Sequence, residues 1–142
     1  MAFGRVYTTN YNSKSGLLLS RDQVYEYGFS YEEFIRLNHA PLHSFMLDVQ
    51  RLDLSNVVYF DDQRYMEDYL LTLQLFTKDN CDWESLKLNH YIGDYIHSHD
   101  REHTLAHFND EDRKAILEND EYIYCEERIH QMRNSIQKRL GN

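Results

Sequence analysis

One proline and five glycines in 142 residues leave this chain few of the usual means of reversing direction. Proline ends or kinks a helix, and glycine supplies the positive φ that many tight turns need. Their scarcity favours long helices over a sheet built on tight turns. The length is about that of one domain. Such a chain buries roughly two-thirds of its unfolded surface, so it needs no disulfide or metal to fold. No low-complexity linker or internal repeat divides it. The expected fold is mainly α, a single compact bundle of roughly five to seven helices.

Residues 1–19 are the exception. Val6-Tyr7-Thr8-Thr9 has β-branched and aromatic character, Asn12-Ser13-Lys14-Ser15-Gly16 reads as a turn, and Leu17-Leu18-Leu19 follows. A small β-ribbon or an extended arm fits, with a disordered tail as the alternative. Residues 20–142 are then the helical domain. Ser20 and Gln23 have capping-box spacing, and Gly28 suits the stop. Ser30-Tyr31-Glu32-Glu33 repeats the box and starts a short helix through about Asn38. Pro41 fits the first turn of a helix over 41–53, with Leu42, Phe45, Met46 and Val49 on one face at helical spacing. Val57-Val58-Tyr59-Phe60 has strand character. Asp61 caps a helix through about Phe76, with Tyr65, Met66, Tyr69, Leu70 and Leu73 on its inner stripe. Asp82 caps another that carries Trp83, Leu86, Ile92 and Ile96. Asn109 or Asp110 caps a short helix to Leu117. The last helix, over 120–140, buries Ile123, Ile129, Met132, Ile136 and Leu140.

Net charge is −9, and it is unevenly placed. Residues 61–127 carry six basic and eighteen acidic groups, a net of −12, whereas residues 128–142 carry four basic groups and no acid. The acidic block repels a phosphate backbone, so direct nucleic-acid binding is disfavoured. A partner protein with a basic surface is attracted instead. The residues nominated for that contact are Asp110, Glu111, Asp112, Glu118, Asp120 and Glu121. Asp61-Asp62 and Glu126-Glu127 are further acidic patches. A solvated face with acids at helix N-termini explains most of these groups without any partner. Twelve tyrosines, a residue suited to interfaces, add to the binding reading.

Four of the eight histidines fall within eleven residues: His97, His99, His103 and His107. Imidazole is the commonest metal ligand. In a helix His99, His103 and His107 share one stripe, and an unbroken helix from Asp82 makes that stripe continue Leu88, Ile92 and Ile96. Inward histidines need partners, because burying an unpaired polar group is costly. The candidate metal ligands are His99, Asp100, His103 and His107, with a structural zinc as the cofactor the spacing accommodates. Structural zinc takes four ligands, and Cys125, Cys81, His90 or a carboxylate remain open as the others. A polar, partly exposed, histidine-rich helix is the competing reading.

No phosphate loop, dinucleotide fingerprint or nucleophile elbow can be built from the glycines, and no catalytic residue is assigned. The adjacent pair His99-Asp100 is similar to that of the HD-type metal phosphohydrolases, which also need an earlier histidine and a later aspartate. That gives the alternative function, a small metal-dependent phosphohydrolase using the histidines of 97–107. Two cysteines form no disulfide framework, Met1 to Asn10 lacks the features of a signal peptide, and no apolar run is long enough to span a membrane. A cytoplasmic protein is expected.

In small size, acidity and lack of an enzyme motif, the whole chain resembles phage-encoded anti-CRISPR proteins. Met1-Ala2-Phe3-Gly4-Arg5, with Tyr11-Asn12-Ser13 behind it, is similar to the start of some inhibitors of type II RNA-guided nucleases. The resemblance implies a non-enzymatic inhibitor acting in the cytoplasm of a bacterial host on a type II effector nuclease. Some such inhibitors carry a structural metal. No functional motif is matched, so no residue role is carried over.

Overall fold

The computed structural model describes residues 1–12, 14–23, 30–37, 44–87, 90–98 and 110–141, and its chain turns on short polar side chains. Asn12 Oδ1 accepts from the backbone N–H groups of Lys14 and Ser15. Asp48 does the same for Gln50, Asp53 for Ser55 and Asp82 for Ser85. Thr77 N–H donates to Asn80 Oδ1 at 2.8 Å, and Asn80 N–H returns a bond to Thr77 Oγ1 at 3.1 Å. Such side chains imitate a backbone turn and reverse the chain without glycine or proline. Gly16, at φ +66°, closes the first reversal with its N–H on the Asn12 carbonyl.

Turns of this kind admit strands, and the fold is mixed α/β, which corrects the mainly-α expectation. In order along the chain come β1 (Ala2–Phe3), β2 (Arg5–Asn12), β3 (Leu17–Gln23), α1 (Tyr31–Arg36), β4 (Phe45–Met46) and α2 (Glu67–Leu75). A 3₁₀ helix (Trp83–Lys87), β5 (Tyr91–Ser98), α3 (Asp110–Leu117) and α4 (Asp120–Leu140) follow. β2 and β3 form an antiparallel hairpin, and β5 adds to the other edge of β2 in parallel, giving the order β3-β2-β5. β1 pairs with β4 antiparallel.

Three helix expectations fail for related reasons. Ser20 to Gln23 lies in β3, because pairing with β2 outweighs a local capping signal. Tyr91 to Ser98 is a strand although Leu88, Ile92 and Ile96 are spaced by four. Its tyrosines and isoleucines suit a pleated surface, and Gly93 weakens a helix there. Residues 45–53 form the short β4 and an irregular turn rather than a helix, and Met46 is exposed. The run 57–60 forms no strand, and α2 starts at Glu67 rather than at Asp61.

Elsewhere the caps are as the residues suggest. Ser30 Oγ accepts from Glu33 N–H at the start of α1. Asn119 Oδ1 accepts from Glu121 and Tyr122 N–H at the start of α4. Lys138 and Arg139 occupy the last turn of α4, where the helix dipole favours cations. The buried stripe of α4 is Tyr122, Cys125, Ile129 and Ile136. Ile129 and Ile136 are buried as expected, whereas Ile123 and Leu140, also expected inside, are 48% and 50% exposed, and Tyr122 takes the inward position in the first turn.

The core is aromatic. Phe34 of α1 meets Tyr69 edge-on at 5.7 Å, Phe76 at 5.3 Å and Trp83 at 5.7 Å between ring centroids. Phe3 of β1 packs on Phe76 and Trp83, and Ile129 and Ile136 of α4 join the same cluster. Tyr69 Oη lies 2.8 and 2.9 Å from the carbonyls of Phe34 and Ile35, and it accepts from the Arg133 guanidinium. One hydroxyl thus ties α1, α2 and α4 together. No helix among the described residues is long and apolar enough to cross a membrane.

Gly4 joins the two sheets, and a Cβ there would lie 2.6 Å from the Ile92 side chain. Ile92 is branched at Cβ and cannot simply swing aside. Gly4→Ala is expected to cost about 1–3 kcal/mol, as overpacking does. A urea melt of the variant checks this, and an unchanged midpoint would show that Ile92 yields freely.

Candidate functional site

The segment 57–66 has no regular structure, yet side chains from α2 and α4 hold it firmly. Val58 N–H donates to Gln74 Oε1 at 2.8 Å, and Gln74 Nε2 donates back to the Val58 carbonyl at 3.1 Å. At the other end Arg128 Nη1 and Nη2 grip the two Asp62 carboxylate oxygens at 2.8 and 3.0 Å. The same guanidinium lies over the Phe60 ring at 4.1 Å and donates from Nη2 to the Tyr124 hydroxyl oxygen at 2.8 Å. Gln63, buried, donates to the Tyr65 and Cys125 carbonyls. An irregular loop clamped in this way is pre-organised, which suits recognition.

Between this loop and the first turn of α4 lies an open cleft of about 450 Å³, lined by Asp61, Asp62, Arg64, Asp120, Glu121 and Tyr124. Two of its four carboxylates are matched. Asp62 pairs with Arg128, and Glu121 stands 3.5 Å from Arg64 in an exposed pair of small energetic value. Asp61 and Asp120 make no ion pair among the described residues. The hydrogen bonds from Arg128 hold the Asp62 carboxyl down to about 2.

That depression has a pH consequence. The folded value lies below the ordinary aspartate value of about 3.9. The unfolded chain therefore binds the proton more readily, and stability falls as pH drops through the window from about 3.9 to about 2. Asp62→Asn is expected to flatten the fall in that window. Urea titrations of both proteins between those pH values test it, and parallel curves would assign the acid sensitivity elsewhere.

The nominated partner-binding residues are divided by the structure. Asp120 and Glu121 line the cleft together with Asp61 and Asp62, which lie far away in sequence. Asp110, Glu111 and Asp112 are on α3. Glu118 follows α3 and lies 3.7 Å from Lys114. The candidate ligands His99, Asp100, His103 and His107 lie outside the described residues. Among the described residues, no group of three or more His, Cys, Asp or Glu side chains could hold a metal ion, so the metal-binding expectation gains nothing from them. Cys81 and Cys125 are both buried and free, and burial pushes the Cys81 thiol up to about 11, which makes it a poor thiolate ligand.

Sequence reasoning missed the clamp. In the sequence Arg128 is only one of the four basic groups of residues 128–142, and Phe60 only the end of the run Val57-Val58-Tyr59-Phe60. The available signal was a tract, Tyr59-Phe60-Asp61-Asp62, in which aromatic and acidic residues adjoin. Tyr59 is 76% exposed and Tyr124 51%. Set against known proteins, the chain matches no family model, no curated protein and no solved structure.

Proposed function

We propose that this chain is a non-enzymatic binding protein that inhibits a nucleic-acid-handling enzyme by seating its acidic, tyrosine-bearing cleft on a basic surface of that enzyme. The observation that carries the reading is the clamped loop 57–66. It presents Asp61 beside Asp120 without cationic partners among the described residues, and Tyr59 and Tyr124 lie exposed near them in sequence. Surfaces that hold nucleic acid are rich in Lys and Arg. Carboxylates on a rigid frame compete for those cations, and tyrosine adds contact area at little entropic cost. The net of −12 over residues 61–127 steers the encounter over a longer range.

The target we propose is a type II RNA-guided effector nuclease, which follows from the anti-CRISPR resemblance. The test is DNA cleavage by the purified nuclease and guide, with and without the chain, alongside direct binding across a salt series. Inhibition accompanied by binding that weakens as salt rises is the expected result. Full cleavage with no detectable complex at low salt would remove this target.

A further inference from the structure

A second depression adjoins the acidic cleft and shares Asp61 with it. It holds about 290 Å³ and lies between the clamped loop and α2. Its walls are Val58, Tyr59 and Phe60 on one side and Leu70 and Leu71 on the other, so its lining is predominantly apolar. Three carboxylates, Asp61, Glu67 and Asp68, stand among these residues, and no lysine, arginine or histidine does. We propose that this groove receives the apolar anchor of a basic partner segment: one leucine or phenylalanine side chain flanked within a few residues by lysine or arginine.

The inference rests on the binding reading above and adds the chemistry of the partner. Charge complementarity selects the occupant. An apolar side chain satisfies the walls, and lysine or arginine beside it complements three carboxylates whose shared lining contains no cation. A second copy of this chain would bring its own acidic block, although Lys138-Arg139-Leu140 in its last helical turn has the stated chemistry. Self-association at the groove before peptide is added would make that copy the occupant and overturn the foreign partner. Asp68 adds to the argument. Burial pushes its carboxyl above the ordinary range despite a hydrogen bond from the Tyr69 N–H, and the Glu67 charge adds a smaller push the same way, so a cation seated there relieves an existing cost. The Gln74 clamp on Val58 keeps the groove wall in place before a partner arrives.

The probes are two synthetic peptides titrated into the isotope-labelled full chain and followed by amide chemical shifts at low salt. One has a Leu-Phe pair between two lysines on each side, and the other replaces that pair by Ser-Ser. The anchored peptide is expected to bind roughly tenfold more tightly, the worth of one well-buried apolar side chain. Its shifts should centre on Val58, Tyr59, Leu71 and Gln74. The double variant Val58→Ser/Tyr59→Ala changes two exposed side chains, so it should keep the fold and abolish the difference between the peptides. Equal affinity of the two peptides for the native chain would overturn the anchor groove while leaving the acidic cleft standing. No binding of either peptide would overturn the groove and the acidic-face reading together.

Discussion

Phe34→Ala is expected to remove roughly 3–5 kcal/mol of stability, the usual cost of emptying an aromatic core position. Phe34 is nearly inaccessible, and its ring meets Tyr31, Tyr69, Phe76 and Trp83. These neighbours come from α1, α2, the segment after it and the 3₁₀ helix, so no single element can shift to fill the space. A domain of this size is held by about 5–15 kcal/mol in total. The variant should therefore have a strongly lowered urea midpoint and a measurable unfolded fraction at 37 °C. Phe34→Leu, which retains most of the volume, should cost much less. Equal losses for the two variants would mean that the core is not organised around this ring.

Reversing the cleft charges with Asp61→Lys, Asp120→Lys and Glu121→Lys is expected to weaken binding to a basic partner at least about tenfold. Each substitution removes an attraction and adds a repulsion at the same place. The fold should survive, since all three residues are exposed. Lysine in the first turn of α4 opposes the helix dipole at about 0.3–1 kcal/mol per residue, well inside the margin. A parallel variant carrying Asp110→Lys, Glu111→Lys and Asp112→Lys on α3 separates the two acidic regions. Loss confined to the cleft variant places the contact at the clamped loop. Loss confined to the α3 variant moves it to the second region, and unchanged affinity in both removes the acidic-face mechanism. Binding to the nuclease by interferometry, with circular dichroism to verify folding, reads all three outcomes.

What the sequence reveals depends on where the determining interaction lies. The starts of α1 and α4 are local matters, and Ser30 and Asn119 act within a few residues of themselves. β5 is determined by β2, some eighty residues earlier, and nothing in the spacing of Ile92 and Ile96 announces that partner. The shortage of glycine and proline misleads because asparagine and aspartate make the turns instead. The site divides in the same way. Asp120 and Glu121 could be nominated from charge alone. Their meeting with Asp61 and Asp62 depends on Arg128 reaching back across 66 residues to grip the loop, which no count of charges contains.

The central position of β2 also sets an order of events during synthesis. The hairpin with β3 is local and can form soon after Gln23 leaves the ribosome. The other edge of β2 waits for Ser98, 75 residues later. At about 5–20 residues per second that interval is roughly 4–15 s. Throughout it a nascent hairpin presents an unpaired edge to every neighbouring chain, and such edges are templates for wrong pairing. Expression yield should therefore respond to the speed of translation between these two strands more than to the stability of the finished protein.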